Sequence, residues 1–392
     1  KLERELPFGG NGLTELPTLT DVKKISAREE IAVDLGEYPI VSTDPEHAWQ
    51  FRGELAPLKD IASRTVLVGY DVKQFLKAVA QQGPLLRNRV FAVKIASYLL
   101  NPDLRDYDLD KIAYAALGAQ PQHGALSRIG MIWGLKQSLW EKLKAADLTR
   151  IFEEFEMPLV SILARMEQTG IAIDTPAIKK LARSCTKALA SLEKKIYKCA
   201  GVVFNINSPQ QLSHVLFETL GLKGKVRKTS GGALSTAAGE LEKLREEHPI
   251  IDLILDWREL AKLQTTYIEP FPALVGPDGR IHTTYNQTGT GTGRLASQDP
   301  NLQNIPTRTE LGQAFRNTFV AAKGFTLVSF DYSQLELRIA AHMAHDETMI
   351  EVFQRGEDIH TRTAAEIFRV KPTEVTPAMR RQAKVLNFGI MY

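Results

Sequence analysis

Arg380, Lys384, Phe388 and Tyr392 recur at intervals of four in RRQAKVLNFGIMY (Arg380–Tyr392), a spacing that a helix turns into one shared face. Each step of four rotates an α-helix by about 400°, so successive side chains drift only about 40°. Two cations and then two rings line one side, while Ala383, Leu386 and Ile390 fall on other sectors and are expected to pack inward. Thr376-Pro377 supplies the start, with threonine as N-cap and proline in the first turn. A cationic end beside an aromatic end suits a nucleoside triphosphate, its phosphates on Arg and Lys and its base against a ring. RRxxK alone would equally describe a solvated amphipathic helix. The aromatic continuation is what tips the balance.

Upstream, TLVSFDYSQLELR (Thr326–Arg338) reads as a strand over Thr326–Phe330 that delivers Asp331 at its tip. A turn and a helix follow, on which Leu335, Ile339 and Met343 repeat every four residues as an apolar stripe. A carboxylate at a strand end is exposed yet held, which suits a metal ligand. DIH (Asp358–His360) lies between the two segments.

DYSQLELR and RRQAKVLNFGIMY resemble motifs A and B of the DNA polymerase I family (family A), the chain breaking off within motif B. The resemblance runs back through DPNLQNIP (Asp299–Pro306), TGRLAS (Thr292–Ser297), RELAKLQTTY (Arg258–Tyr267) and FNINSPQQL (Phe204–Leu212), covering roughly residues 150 to 392. It implies template-directed DNA synthesis by in-line displacement with two Mg²⁺ ions. Asp331 would bridge the ions, with the Tyr332 carbonyl as a second contact. Arg380 and Lys384 would neutralise the β- and γ-phosphates, Lys384 protonating the leaving pyrophosphate, and His360 would add a phosphate contact. Phe388 would stack on the incoming sugar and base, and Tyr392 would occupy the template-base position. Gln334 belongs to the same dNTP site, and Glu336 would exclude a ribose 2′-hydroxyl. Arg258 and Lys262, four apart, would meet DNA phosphates. Arg294, Gln303 and Asn304 would meet the minor groove, where acceptors common to all base pairs allow contact without reading sequence.

The first 148 residues carry a different pattern. Residues 1 to about 20 look like a polar, Gly/Pro-punctuated linker. Strands at Glu30–Asp34 and Thr65–Val68 then alternate with helices from about Asp71 to Gln81 and at Val93–Leu100, Leu109–Leu117 and Ala125–Lys144, which predicts a small α/β domain. In the family this is a ribonuclease H-like 3′–5′ exonuclease domain built on four metal-binding acids. Here the first motif, Asp-x-Glu, is replaced by Asp34-Leu35-Gly36-Glu37, which sends the second acid to the opposite strand face unless Gly36 bulges. Asp71 can echo the second motif, but Tyr114 is followed four residues on by Gly118, not by an acid. The domain is expected to be vestigial and proofreading lost.

Residues 149–392 are expected to be the N-terminal part of an α+β polymerase domain. The helical thumb would span about 160–280, the palm with motif A about 281–345, and the start of the fingers with motif B about 346–392. Phe152, Phe155, Leu159, Ile162 and Met166 suggest one apolar helix stripe ending at Gly170, and Thr175-Pro176 and Ser208-Pro209 open further helices. KGKVRK (Lys223–Lys228) would form a basic thumb tip.

The family's third motif, His-Asp-Glu on a palm hairpin, supplies the other bridging aspartate. His345-Asp346-Glu347 spells it, but falls too close after motif A to serve. One carboxylate cannot hold two metals, so the rest of the fingers and palm is expected either on a second polypeptide, as a partner beside primer–template DNA and dNTPs, or on the remainder of a longer chain. A net charge of only +3, from 49 basic and 46 acidic residues, means any DNA-binding surface is local. Cys185 and Cys199 lie 14 apart in one predicted helix, about 21 Å along its axis and beyond disulfide reach. Free cysteines and no long apolar span indicate a reducing, cytoplasmic setting away from membranes, and the resemblance implies a bacterial, nucleoid-associated protein. A non-catalytic DNA-binding or structural subunit is the competing reading, against which stand Asp331, Lys384 and Phe388 kept together.

Overall fold

Ile31, Ala32 and Val33 are buried on both faces of β1 (Glu30–Leu35), as a central strand requires. β1 pairs antiparallel with β2 (Pro39–Asp44) and parallel with β4 (Val66–Gly69). With β3 (His47–Gln50) and β5 (Val90–Ala92) the sheet order is β3-β2-β1-β4-β5. Around it lie α1 (Ala56–Ala62), α2 (Val72–Val79), α3 (Val93–Leu100), α4 (Leu109–Leu117) and α5 (Ala125–Ala145), with α5 packed on β1, β2 and β4. The computed structural model describes residues 16, 18, 19, 25, 28–36, 38–52, 56–79, 89–118, 124–223, 226–228, 232, 234–306 and 309–391. These fall into two compact units, Lys1–Phe325 and Thr326–Tyr392.

Most of the expected linker at 1–20 lies outside the described residues, but Leu16 and Leu19 are buried and Leu19 bonds to Gln50, the last residue of β3. They belong to the sheet's core, because an edge strand offers free backbone groups and apolar cover together.

The expected stripe on the helix after Ile151 is not the buried one. A π-helical turn at Phe152–Glu156 precedes α6 (Met157–Thr169) and shifts its phase. Phe152, Met157, Val160, Leu163 and Ala164 are buried, while Phe155, Ile162 and Met166 are exposed. Pro158, which has no N–H to donate, sits at the end of the irregular turn. α6 packs on α2 and β5.

Glu167, near the end of α6, is 2% exposed and ties this unit together. Its carboxylate accepts from Lys73 and Lys77 of α2, each at 2.6 Å, and from the Tyr285 N–H at 2.9 Å. Its carbonyl lies 2.7 Å from His282 Nδ1.

α7 (Thr175–Ala200) and α8 (Ile250–Leu263) pack side by side, burying Cys185, Ile196, Trp257 and Leu260. Asp174, one residue before the expected threonine, is the true N-cap of α7 and accepts from Ala177 N–H; Gly201 closes it in a left-handed conformation, φ 72°. Ser208 caps Pro209–Ser213 as read from sequence. A three-stranded sheet joins β6 (Ile171–Ile173), β7 (Arg280–Ile281) and β10 (Phe319–Val320), and β8 (Thr284–Asn286) and β9 (Ala296–Gln298) form a separate ribbon. Residues 224–225 of the basic patch lie outside the described residues.

The second unit is α9 (Leu335–Ala344), α10 (Glu347–Gln354), α11 (Ile359–Phe368) and α12 (Pro377–Met391). Leu337, Val352 and Ile359 form its core, with Met349, Phe353 and Phe388 packed against it. Two expectations fail here. Thr326–Phe330 is not a strand: no described strand pairs with it, and Leu327, Val328 and Phe330 are exposed, Phe330 by 93%. An extended segment without a ladder partner leaves its backbone bonds to water. The Leu335, Ile339 and Met343 stripe faces outward, Leu337 and Ala341 being the buried pair, since period alone does not say which face is covered. Among the described residues, no helix is long and apolar enough to cross a membrane. Both cysteines are free.

Candidate functional site

α12 forms over Pro377–Met391, and Thr376 Oγ accepts from the Met379 N–H at 3.3 Å, the expected cap. Ala383 is its buried contact; Leu386, expected inside, is exposed. Lys384 is exposed, and its Nζ lies 6.0 Å from the Phe388 ring centroid, so the expected face exists over Arg380, Lys384 and Phe388. Tyr392 lies outside the described residues, as do the side chains of Ile390 and Met391.

Arg380 is not free to meet a phosphate alone. It holds Asp358 in a two-pronged pair, Nε to Oδ2 at 2.7 Å and Nη2 to Oδ1 at 2.9 Å. Asp358 also caps α11 through the Thr361 N–H at 2.9 Å and hydroxyl at 2.5 Å, and accepts from Gln334 Nε2 at 3.0 Å. Burial alone would raise the Asp358 carboxyl. Arg380 and Thr361 outweigh it and hold the group far below the ordinary carboxylate range. The Asp331 turn is thereby linked to α12 through Gln334, Asp358 and Arg380.

His360, expected at the surface on a phosphate, is 2% exposed. Its Nδ1 lies 3.1 Å from Asn387 Nδ2 and its ring 5.7 Å from that of Phe388. Burial, aided by Arg380 and Lys384 against the opposing Asp358, pushes the imidazole below its ordinary value. In this structure the ring is packed against Phe388 and turned away from solvent. Asn387 bonds Thr363 as well, at 3.1 Å. Sequence reading passed over Asp358 and Asn387; an Asp three residues before a Thr was a legible cap, but a partner 22 residues away was not.

Asp331 and Tyr332 are exposed, and among the described residues the Asp331 carboxylate has no polar partner. Glu336 is half-buried in the first turn of α9. His345 ends α9 and Asp346 caps α10, accepting from Met349 N–H at 2.9 Å, so the His-Asp-Glu triplet is a helix junction. Among the described residues, no three acidic, histidine or cysteine side chains cluster to hold a metal. A lone exposed carboxylate does not fit a two-ion Mg²⁺ centre.

In the first unit, Lys262 and Asn304 line a cleft of about 610 Å³ with Tyr267, Pro300 and Asn301, and the Tyr267 hydroxyl donates to the Asn304 carbonyl at 2.5 Å. Arg258 does not join Lys262 there: half-buried, it donates to the Thr236 carbonyl, and burial lowers its pKa. Gln303 turns its amide onto its own loop, donating to the Leu295 carbonyl at 2.8 Å and accepting from Ser297 N–H at 3.1 Å. Arg294 is exposed on the Gly/Thr loop.

In the α/β layer, Arg128 of α5 binds the first expected exonuclease acid, Asp34, with Nε 2.7 Å from Oδ2. That contact raises the already high guanidinium pKa. Glu37 lies outside the described residues. Asp71 caps α2 weakly, accepting from Gln74 N–H at 3.4 Å.

The chain is 53% identical over 262 residues to the thermostable DNA polymerase I of Thermus thermophilus, covering 66% of this chain and 31% of that protein. To DNA polymerase I of Bacillus subtilis it is 43% identical over 346 residues, 82% of this chain and 39% of that one. The chain thus spans about a third to two-fifths of the length of these relatives. The solved polymerase domain of Pol1 from M. smegmatis, in complex with DNA primer-template and dNTP, superposes with a TM-score of 0.84 at 30% identity, covering 94% of this chain and 69% of that one. The signature of DNA polymerase family A matches residues 175–392, and the chain belongs to that family.

Proposed function

We propose that the chain supplies the duplex-gripping and dNTP-binding parts of a template-directed DNA polymerase acting on bacterial nucleoid DNA. The observation that carries this is the α12 face, where Lys384 stands exposed above Phe388 beside Arg380. In this reading residues 1–148 are a vestigial ribonuclease H-like exonuclease domain. The thumb covers about 160–280, the palm about 281–345 and the start of the fingers about 346–392. The M. smegmatis neighbour's primer-template and dNTP support the same ligands here.

Lys384 is the phosphate cation of the dNTP site, Arg380 aiding while paired to Asp358, with Gln334 setting the Asp331 turn. Phe388 presents the base platform, Tyr392 completes it, and Glu336 selects deoxyribose. Asp331 is one metal ligand, with the Tyr332 carbonyl beside it, and two Mg²⁺ ions need at least one further acid. That acid, and cover for the exposed apolar run at 325–332, come from the rest of a family A polymerase. The Asp34–Arg128 pair supports an inactive exonuclease, since a guanidinium already balances the acid a metal would need.

Primer extension by the chain supplemented with a family A fragment that carries the rest of the fingers and palm tests the reading. Lys384→Ala is expected to slow incorporation by about a hundredfold, the scale of a lost general acid and phosphate contact, and Asp331→Ala to stop it. Equal rates in all three proteins would leave only a non-catalytic DNA-binding subunit. For the duplex side, Lys262→Ala is expected to weaken primer–template binding and flatten its log K against log salt slope by about one. Arg258→Ala should leave that slope unchanged and lower stability instead, its guanidinium being spent on Thr236.

A further inference from the structure

Tyr98, on α3 of the α/β layer, is bonded directly to the Gly/Thr loop that carries Arg294. It is 2% exposed, and its ring lies edge-on to Tyr107 with centroids 5.8 Å apart. Its phenol fits between two backbone groups of the loop, donating to the Thr290 carbonyl at 2.8 Å and accepting from the Gly293 N–H at 3.0 Å. Tyr107 is fixed in turn: its hydroxyl donates to the Asn101 carbonyl at 2.7 Å, and its carbonyl accepts from the Tyr70 hydroxyl at 2.9 Å. The loop is shaped to receive this. Gly293 is left-handed at φ 81°, a backbone that any side chain with a Cβ would strain. Thr290 Oγ donates to the Arg294 carbonyl at 2.8 Å, closing the loop on itself.

We propose that Tyr98 is a positioning residue for duplex binding, and that the α/β layer serves the polymerase by presetting the loop that offers Arg294 to DNA. The inference rests on the duplex reading above. A loop with three glycines in seven residues, TGTGTGR, has many free conformations, and ordering it at the moment of binding would lower affinity. One buried hydroxyl fixes both sides of its turn beforehand. Without that hydroxyl a carbonyl and an N–H lose their partner, and the fraction of chains with a binding-ready loop falls.

The test uses the full chain and a recessed primer–template duplex, with affinity read by fluorescence anisotropy at one salt concentration. Tyr98→Phe, which keeps the ring, is expected to weaken binding about fivefold and to speed hydrogen exchange at the Gly293 amide. In an Arg294→Ala background it should cost nothing more, because both act through one contact. If Tyr98→Phe lowers the melting temperature, Gly293→Ala, which strains the left-handed turn in open space, must reproduce the loss of affinity in a normally melting protein. Unchanged affinity in Tyr98→Phe, or losses that multiply independently with Arg294→Ala, would overturn the inference alone. A wild-type chain that fails to bind the duplex at all would overturn the duplex reading, and the inference with it.

Discussion

Glu167→Ala is expected to lower the unfolding free energy by about 3–5 kcal/mol, the cost of breaking a buried ion pair from one side. The side chain of Glu167 is 1% exposed, that of Lys73 11% and that of Lys77 28%. With the carboxylate gone, two ammonium groups face each other in a site that water scarcely reaches, and the Tyr285 N–H loses its acceptor. Glu167→Gln, which keeps an acceptor but not the charge, should fall between. Urea unfolding, followed through tryptophan fluorescence, measures both. Converting all three residues to Met together should recover most of the loss, because a packed apolar cluster avoids the desolvation that the ions suffer. A loss in Glu167→Ala below about 0.5 kcal/mol, the range of an exposed pair, would mean the site is wet.

Asp358→Ala is expected to destabilise the second unit by about 1–2 kcal/mol, roughly one for the lost cap and the remainder for a half-exposed Arg380 pair discounted for solvent. Its pH dependence separates it from His360. The Asp358 carboxyl titrates lower folded than unfolded, where it sits near about 3.9. Its stabilisation is therefore complete above about pH 4 and is lost as pH falls toward the folded value. The His360 imidazole is also pushed down, being buried and neutral. The unfolded ring gains a proton first, near about pH 6.5, and stability declines from there downward. In both cases the unfolded chain binds more protons, so acid weakens the unit in two stages. Asp358→Ala should erase the lower stage and deepen the upper, because Asp358 opposes the depression of the imidazole, whereas His360→Asn should remove the upper stage and keep the lower. Hydrogen exchange in α11 and α12 across pH 3–7 reads this out. A single stage lost in both variants would show that the groups titrate as one.

Much of the helical architecture was legible because caps and periodicity are local. Val93–Leu100 and Leu109–Leu117 have the bounds the pattern predicts, and α5 differs from its expectation by a single residue at the end. β2, β3 and β5 were not legible. No strand was read over Pro39–Asp44, His47–Gln50 has only four residues, and Val90–Ala92 is three residues that run straight into α3. The exposed stripes on α6 and α9 show the other limit: periodicity marks a face, and only the neighbours decide whether it is covered. At the candidate site the α12 spacing was readable, while the partners of Arg380, Arg258 and His360 were not, because each hydrogen bond closes over 22 to 27 residues.

Phe152, Met157 and Val160 share one core cluster with the five-stranded sheet, and Glu167 and Tyr98 fasten further points across the same seam. The α/β layer is consequently no detachable module. Excising it near residue 148, or grafting a proofreading-competent substitute in its place, would strip the underside of α6 and strand a carboxylate, so any chimera has to carry α2 and the Tyr98 segment along with it.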